Sequence, residues 1–425
     1  MAGKKNVILS INAGSSSVKI SVYTALQNQV PEQIAEADIS GLTAPPARIS
    51  YKRRDVVVAK NKEVQEQTGG QSGAFKILLR TLTEDVELPE IKDRSDIGIA
   101  CHRVVHGGDY TSSKVINNDT YHRLEELRDL APLHNTNALE IIKSCVSELA
   151  ESVNVAFFDS QFHTTIPKHI YTYPIDPSIA KKRQLRKYGF HGISYAFIIR
   201  AVAKHLDKSA SDLNIIALHL GSGASACAIK GGKSWDTSMG LTPLAGLPGA
   251  TRSGSVDPSL VFHYTSQANT LSPASTQELH ITRAEEILNK ESGWNVLTGT
   301  TNFGYITSNL DKPECRLAFD LFVNRICGYV GSYYVALGGR VDALVFAGGI
   351  GEKSEALRKA VVEQTGCLGF EVDDTANAQK IENVVGDVGR RGARHRTLVC
   401  LTDEQFEMAR SCAEDADLWK VEDAR

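Results

Sequence analysis

The sequence lacks the features that mark several classes of protein. Its eight cysteines include no C-x-x-C pair, and it has no run of eighteen apolar residues. The first absence argues against a zinc ribbon or a disulfide framework, and the second argues against a membrane-spanning helix. The net charge is only −3, so no strong field would attract nucleic acid or a membrane surface. We therefore expect a protein of the cytoplasm without a secretion signal.

Complete nucleotide-binding motifs are also missing. A Gly-Lys-Ser triplet at 232–234 would end a P-loop, but Cys227 stands where the first glycine of that motif is required. The G-x-G-x-x-A segment at 221–226 resembles a dinucleotide fingerprint, yet a strand rather than a helix is predicted after it. Phosphates would therefore have to be held in another way, by hairpin loops from two domains with a cleft between them.

A duplicated strand–loop–strand segment is the most informative feature present. Residues 6–23 read NVILSINAGSSSVKISVY, and residues 214–231 read NIIALHLGSGASACAIKG. Small residues in each loop let backbone N–H groups approach phosphate oxygens, and Lys19 adds a positive charge. Either loop alone could be a plain hairpin turn. A matched opening in each half of a 425-residue chain predicts duplicated α/β domains.

The hydrophobic pattern predicts alternating strands and helices. Strands are expected at 6–12, 18–24, 55–59, 97–101, 155–158, 214–220, 224–229 and 342–347. Helices are expected near 72–83, 121–129, 136–150, 194–206, 282–289, 315–338, 354–365 and 404–418. Segment 28–69 is typical of a β-meander with loops, and segment 266–280 of a surface loop.

Two charged residues stand where predicted strands end. Arg103 lies in the segment CHRVVHGG, and a guanidinium can hold a carboxylate or phosphate through two hydrogen bonds. Asp159 follows four apolar residues, at the edge of an α/β sheet where ligands bind; its alternative is a helix N-cap. His102 and His106 would share one face of a strand, as metal ligands or as buried structural histidines.

Three glycine-rich segments are further candidates. His191 lies between two glycines before a predicted helix, with a site role or a structural role. The segment from Trp235 to Gly254 is predicted to be an ordered irregular loop that displays Arg252. The turn at 346–352 follows a strand and opens a helix, whose positive N-terminus could face a nucleotide.

Taken in order, the segments INAGSSSVK, HRVVHGG, LAPLHN, FDSQFH, YGFHGIS, HLGSG, DTSMGLTPL, GATRSG and AGGIGE resemble the acetate kinase family over nearly the whole chain. The resemblance implies two duplicated βββαβαβα domains of the actin-like ATPase (ASKHA) type with a cleft between them. It places these domains at 1–160 with 405–425 and at 161–404. It also implies reversible, Mg²⁺-dependent transfer of the γ-phosphoryl group of ATP to acetate, giving acetyl phosphate and ADP, by a homodimer that forms through the second domain.

The same resemblance assigns roles to particular residues. Phosphoryl transfer is implied for Arg103, Asp159, His191 and Arg252, with His134 and His219 nearby, and magnesium binding for Asn12, Asp159 and Glu404. Acetate would contact Arg103 and Arg252, and its methyl group a pocket of Val105, Leu133, Phe190 and Pro243. The nucleotide and its phosphates would contact Asn12, Ser15, Ser17, Lys19, His219, Gly221, Ser222, Gly223, Asn309, Leu310, Asp311, Gly349, Ile350, Gly351 and Lys353.

Acetate is already an anion at neutral pH, so the reaction needs charge neutralisation and in-line positioning rather than a general base. The chain departs from the family pattern on the nucleotide side, at Ser222, at Lys353 and at residues 308–311. Lys353 is expected in the first turn of a helix, where a cation opposes the helix dipole. These departures keep open a pyrophosphate-linked kinase that makes acetate from acetyl phosphate and, from another class, an inactive actin-like ATP-binding hinge protein.

Overall fold

The computed structural model describes residues 6–14, 16–127, 132–264, 270–273, 275 and 281–420, without the side chains of 132–134, 264 and 420. Its strands are β1 Val7–Ala13, β2 Ser17–Thr24, β3 Glu32–Ser40, β4 Arg48–Arg53, β5 Val56–Glu63, β6 Ile97–Val104, β7 Lys114–Val115, β8 Val153–Phe158, β9 Asn214–Leu220, β10 Ala224–Lys230, β11 Lys233–Thr237, β12 Ala343–Ala347, β13 Val385–Asp387 and β14 Arg396–Cys400.

The described α-helices connect and cover these strands. They are α1 Gly70–Thr83, α2 Asn118–Leu127, α3 Pro132–Glu148, α4 Lys168–Tyr171, α5 Pro177–Lys182, α6 Gly192–His205, α7 Leu260–Tyr264, α8 Arg283–Lys290, α9 Gly293–Thr298, α10 Phe303–Thr307, α11 Pro313–Ala336, α12 Gly348–Lys353, α13 Glu355–Gln364, α14 Asp374–Ala378, α15 Glu404–Glu414 and α16 Ala416–Lys420.

The chain divides into two compact units, and each contains one sheet. The first unit is Met1–Gln161 with Asp403–Arg425, and the second unit is Phe162–Thr402. The first sheet has the order β5-β4-β3-β2-β1-β6-β8-β7, and the second has the order β11-β10-β9-β12-β14-β13. The predicted α/β class is therefore confirmed.

The two sheets repeat one another strand by strand. In the first, β1 pairs antiparallel with β2 and parallel with β6, and β6 pairs parallel with β8. In the second, β9 pairs antiparallel with β10 and parallel with β12, and β12 pairs parallel with β14. The order β3-β2-β1-β6-β8 thus recurs as β11-β10-β9-β12-β14. The two hairpins that match in sequence occupy equivalent places in this repeat.

Each sheet is covered by helices that bury its apolar side chains. Helices α1 and α3 pack on the first sheet, and α11 packs on strands of the second. The helix that follows each sheet in the chain belongs to the other unit. Helix α6 comes after β8 but packs on β9 and β14, whereas α15 comes after β14 but packs on β1, β2 and β6. Helix α6 therefore packs on a strand that follows it closely in the chain, whereas α15 returns from the end of the second unit to the first sheet.

Several sequence-based expectations need correction. Residues 235–237, predicted to begin an irregular loop, belong instead to strand β11, because this segment pairs with β10 and places Ser234 and Thr237 inward. Strands β13 and β14 were not predicted, since β14 has only five residues and a short apolar run does not distinguish a strand from other buried segments. The helix expected at 404–418 ends at Glu414, and α16 follows after Asp415.

Candidate active site

In the first unit, polar side chains gather where three neighbouring strands end. Asn12 lies near the end of β1, Arg103 near the end of β6, and Asp159 directly after β8. These strands run parallel and adjacent in the sheet, so their carboxyl ends share one edge. This is the edge at which open α/β sheets bind ligands.

Arg103 is the centre of this group. Its Nε and Nη2 donate to the two carboxylate oxygens of Asp159 at 3.0 and 2.7 Å, a two-pronged ion pair. Its Nη1 lies 3.4 Å from Asn12 Oδ1 and 3.4 Å from Glu404 Oε2. Asn12, Asp159 and Glu404 therefore surround Arg103. Glu404 is the first residue of α15.

Burial and charge oppose each other within this group. Burial raises the pKa of Glu404, and the positive charge of Arg103 only partly offsets the effect. Burial acts to lower the pKa of Arg103, but Asp159 and Glu404 outweigh it and raise that pKa. Glu404 and Asp159 together therefore depend on a nearby cation, and Arg103 provides it here.

The oxygens around Arg103 also fit a magnesium ion. Two carboxylates and one amide oxygen are hard ligands, and Mg²⁺ is usually held by one or two carboxylates together with substrate phosphates. Over the described part of the chain, no group of three or more His, Cys, Asp or Glu side chains is arranged to hold a metal by itself. The donor set thus suits an ion that arrives with a phosphate ligand.

The predicted phosphate loop is the turn between β1 and β2. Asn12 and Lys19 are direct partners across this hairpin, and Lys19 is exposed. Gly14 N donates to Ser17 O at 2.8 Å, while Gly14 O accepts from the Gln71 side chain at 3.1 Å. The turn is therefore held from α1. Ser15, also predicted to contact phosphate, lies outside the described residues.

In the second unit, His191 stands immediately before α6 in a left-handed conformation, with φ of 59°. Non-glycine residues adopt this conformation at an energetic cost and often at functional sites. Gly189 precedes it with φ of 80°, and a Cβ there would lie 2.4 Å from Thr237 Cγ2. Close packing against β11 therefore requires glycine at position 189 and fixes the turn that precedes His191.

Two histidine rings lie side by side at this turn. The ring centroids of His191 and His219 are 4.2 Å apart. His191 Nδ1 lies 2.8 Å from Ser225 Oγ, and His219 Nδ1 lies 2.7 Å from Ser194 Oγ. Each ring is thus oriented by one buried serine hydroxyl. The predicted neighbourhood of these two histidines is present in the structure.

Arg252 reaches the same place from a clamped loop. A Cβ built on Gly223 would lie 3.2 Å from Arg252 Nη1 and 3.7 Å from His191 Nε2. Ala250 N donates to Ser222 O at 2.9 Å, and Ser292 N donates to Thr251 O at 3.0 Å. The loop is therefore fixed both to the β9–β10 turn and to the segment after α8. Arg252, Gly223 and His191 are brought together.

The predicted nucleotide side lies partly at the ends of β9 and β12. Gly221 to Gly223 form the turn after β9, and α12 begins directly after β12. Within that helix Gly349 is exposed and Ile350 is half-buried. Lys353 is the last residue of α12, not in a first turn as expected, so its charge complements the helix dipole.

Residues 309–311 form a turn between α10 and α11. Asn309 Nδ2 donates to Tyr305 O at 2.8 Å, and Leu310 packs against the core of the second unit. Asp311 is exposed. These residues therefore hold the turn together, and their predicted contact with the nucleotide stays a prediction.

Of the predicted acyl-pocket residues, Val105, Phe190 and Pro243 have described side chains. Val105 follows β6 and is half-buried, while Phe190 and Pro243 are buried in the second unit. His163 Nε2 lies 2.9 Å from Phe190 O and holds the backbone next to His191. Leu133 and His134 lie on the backbone of α3, but their side chains are outside the described residues.

The histidines of the segment CHRVVHGG have structural partners. His102 is buried in β6, and its Nε2 lies 2.8 Å from Asn154 Oδ1. Burial lowers its pKa to about 4, so the ring is neutral at physiological pH. His106 lies beyond the end of β6, and its Nδ1 accepts from Gly108 N at 3.1 Å. The alternative of buried structural histidines therefore describes both residues.

No described helix combines the length and the apolar composition needed to cross a bilayer. The two repeated sheets define the fold class of actin-like ATPases, with charged groups at the carboxyl edge of parallel strands. The family model described as the acetokinase family matches residues 7–410. The chain belongs to the acetokinase family.

Relatives and solved structures agree over nearly the full chain. A probable acetate kinase of Chaetomium globosum is 60% identical, covering 98% of this chain and 99% of its own. The crystal structure of Porphyromonas gingivalis acetate kinase is 30% identical with a TM-score of 0.79, covering 96% of this chain and 98% of that one. A propionate kinase from Francisella tularensis is 32% identical with a TM-score of 0.81, covering 95% and 98%.

Two residues near His191 were not singled out from the sequence. Ser225 is the polar residue in the buried pattern ASACA of β10, and Tyr195 lies on the first turn of α6. A hydroxyl in an otherwise apolar buried strand was a usable signal, because buried polar groups require partners. Tyr195 gave no comparable signal, since an aromatic residue in an apolar helix is usually core.

Proposed function

We propose that the protein is an acetate kinase that transfers the γ-phosphoryl group of ATP to acetate, reversibly, giving acetyl phosphate and ADP. The observation that carries this proposal is the two-pronged contact between Arg103 and the carboxylate of Asp159. The guanidinium is already arranged to hold a carboxylate at the ligand-binding edge of the sheet. An acetate carboxylate has the same shape and charge as the group it now binds.

Direct in-line transfer follows from the charges of the reactants. Acetate needs no general base, but it must approach an anionic phosphate. Arg103 and Arg252 would bind the carboxylate and the transferred group and reduce their repulsion. His191 would donate a hydrogen bond to the phosphoryl oxygens, and Lys19 would add positive charge at the first hairpin.

The carboxylates of Asp159 and Glu404, with Asn12, would hold Mg²⁺ when a nucleotide is bound. The ion supplies charge neutralisation at the phosphate oxygens. Arg103 would hold the carboxylate of acetate through the same two-pronged geometry with which it now holds Asp159. Asp159 therefore serves as an orienting carboxylate rather than as a base.

ATP is the proposed donor, and pyrophosphate formation is the competing reaction. Gly349 is exposed, and a Cβ built on it would meet no atom within 4 Å, so the structure around this residue does not block an adenosine. Residues 309–311 offer no aromatic ring or arginine for stacking on the base. We therefore expect a weak preference for adenine, so that GTP replaces ATP in part.

A hydroxamate assay tests the proposal. Acetate with ATP and Mg²⁺ should give acetyl hydroxamate, and acetyl phosphate should be consumed with ADP as acceptor. Turnover with phosphate alone, and none with ADP, would replace ATP by a pyrophosphate-linked reaction. Phosphate release from ATP without any hydroxamate would instead favour the actin-like hinge protein. Arg103→Ala serves as the inactive control in all three assays.

We also propose a homodimer that forms through the second unit. A groove of about 980 Å³ is lined mainly by α11, by residues 255–257 and 260, and by residues 364, 365, 367 and 368. Phe262, two residues after Leu260, is 75% exposed. Within α11, a Cβ at Gly328 or Gly331 would meet no atom within 4 Å. Gly331→Glu should therefore produce a folded monomer by sedimentation equilibrium, whereas the parent protein should sediment as a dimer. A monomeric parent would overturn this proposal.

The cytoplasm is the proposed location. All eight cysteines are free thiols in the structure, and six of them are buried. Such thiols persist in a reducing compartment. Fluorescent tagging of the full chain in its native cell would test the location.

A further inference from the structure

Two hydroxyl groups and the imidazole ring of His191 form a buried row of hydrogen-bonded groups. Tyr195 OH lies 2.5 Å from Ser225 Oγ, and Ser225 Oγ lies 2.8 Å from His191 Nδ1. Tyr195 and Ser225 are fully buried, and His191 is only slightly exposed. None of the residues in this row except His191 has a role in the proposed chemistry.

The hydrogen bonds of this row are donated in one direction, and the contacts of Tyr195 determine which direction that is. The backbone N–H of His219 donates to the phenol oxygen, so that oxygen is already an acceptor. Burial raises the pKa of Tyr195 well above its usual value, and the phenol keeps its proton. The serine oxygen is the group within hydrogen-bond distance that can receive this proton. Tyr195 therefore donates to Ser225.

Ser225 must then direct its own hydroxyl proton away from Tyr195, toward His191. A hydroxyl has one donor hydrogen and can accept from another group at the same time. With its oxygen accepting from Tyr195, Ser225 donates to His191 Nδ1 at 2.8 Å. A neutral imidazole that accepts at Nδ1 carries its hydrogen on Nε2.

We propose that Tyr195 and Ser225 are positioning residues that fix His191 as the neutral tautomer with its proton on Nε2. This inference rests on the proposed function, in which His191 donates to the transferred phosphoryl group. Nε2 is the ring nitrogen that faces the space beside Gly223 and Arg252. The row thus points an N–H donor toward the proposed phosphoryl position without needing a second positive charge there.

The tautomer also explains why the strained turn is kept. The left-handed φ of 59° at His191 places the ring next to β10, where Ser225 can reach Nδ1. Preorganised donors stabilise charge that develops in a transition state without further reorganisation. Losing the serine hydroxyl would free the ring to exchange tautomers and to rotate, so the loss should appear mainly in kcat.

The test compares Ser225→Ala and Tyr195→Phe with two matched controls. Ser144→Ala and Tyr333→Phe remove buried hydroxyls that have no hydrogen-bond partner among the described residues. We expect kcat to fall at least tenfold in Ser225→Ala and less in Tyr195→Phe, while the KM values for acetate and ATP change less than threefold. The controls should keep kcat, and Ser225→Thr should restore most of it.

Nitrogen-15 NMR of histidine-labelled protein gives a readout that does not depend on activity. His191→Gln identifies the signals of His191, and long-range proton–nitrogen correlations then distinguish its tautomers. The parent protein should show Nε2–H alone, and Ser225→Ala should show a mixture. An Nδ1–H tautomer in the parent, or an unchanged spectrum and kcat in Ser225→Ala, would overturn the inference while leaving the proposed function intact. Full activity in His191→Gln would overturn both the inference and the proposed role of His191.

Discussion

Glu352 accepts two hydrogen bonds from Thr402 through a single oxygen. Its Oε1 lies 3.1 Å from the Thr402 backbone nitrogen and 3.2 Å from the Thr402 hydroxyl. Glu352 belongs to α12, and Thr402 is the last residue of the second unit. The buried Arg358 also donates to the carbonyl oxygens of Gly351 and Glu352, at 3.0 and 2.9 Å. Helix α12 is therefore anchored by side chains on both sides.

Removing this anchor should weaken nucleotide binding. Hydrogen bonds to charged groups contribute about 1.5–3 kcal/mol, so Glu352→Ala should raise the KM for ATP roughly tenfold or more with acetate little affected. Glu352→Gln keeps an oxygen acceptor and should stay near the parent value. Steady-state kinetics with each substrate varied in turn measures this, and equal KM values in all three proteins would contradict it.

Both site arginines should be required for turnover, and Arg103 should also contribute to stability. Either Arg103→Ala or Arg252→Ala should reduce kcat by about 10³ or more, because a transition-state arginine is lost. Arg103→Ala also leaves Asp159 and Glu404 without their cation, so the free energy of unfolding should fall by about 3 kcal/mol.

A second change separates the two effects of Arg103. Adding Glu404→Gln to Arg103→Ala should recover stability, since one uncompensated charge is removed, but not activity. Urea unfolding followed by circular dichroism provides the measurement. Normal kcat in either single arginine variant would refute its assigned role.

Gly223 should be required for activity but not for folding. A Cβ there would approach Arg252 Nη1 to 3.2 Å, and the flexible end of the arginine can move away. Gly223→Ala should therefore displace the guanidinium and lower kcat at least tenfold, with little change in the melting temperature. Gly366→Ala is the control, because a Cβ at Gly366 meets no atom within 4 Å. Full activity in Gly223→Ala would show that Arg252 need not occupy its present position.

The size of Val105 should limit the acyl chain. One methylene is worth about 1–3 kcal/mol in a fitted apolar pocket, so Val105→Ala should improve kcat/KM for propionate relative to acetate about tenfold. Val86→Ala, at a position that is 91% exposed, is the control. An unchanged propionate-to-acetate ratio in Val105→Ala would remove this residue from the pocket.

His102 should make the fold sensitive to acid. Its folded-state pKa is about 4 because of burial, below the unfolded value of 6.5. Its contribution to stability is complete above pH 6.5 and is lost as the pH falls toward 4, since only the unfolded state takes up the proton. The loss reaches about 3 kcal/mol. His102→Gln should show a shallower fall of unfolding free energy between pH 6.5 and 4.5, and parallel curves would exclude the effect.

The parts of the fold that were predicted correctly are those with local signals. The hairpins β1–β2 and β9–β10 combine alternating apolar residues with glycine-containing loops, and both formed as expected. Arg103 and Asp159 were identified because each stands where a predicted strand ends. In an open α/β sheet, the carboxyl ends of parallel strands form the edge at which ligands bind. The contact between Arg103 and Glu404 could not be predicted from sequence spacing, because α15 reaches the first sheet only through tertiary packing.

The errors have a common physical cause. Strand β11 is polar and short. Its conformation is determined by its pairing with β10 and not by its own composition. The left-handed conformation of His191 depends on packing around Gly189, which leaves no periodic signal. The hydroxyl row behind His191 joins α6 to β10, so no sequence spacing relates its members.

The return of α15 to the first unit has a consequence for biosynthesis. Gln405 of α15 accepts, through its backbone oxygen, a hydrogen bond from the Ser10 hydroxyl of β1, and its side chain accepts another from Ser21. Residues 10 and 405 are separated by 395 positions in the sequence. The face of the first sheet that α15 covers therefore stays uncovered until α15 has been synthesised. The second unit is continuous in the chain, so the first unit would become native only after the second unit has been synthesised.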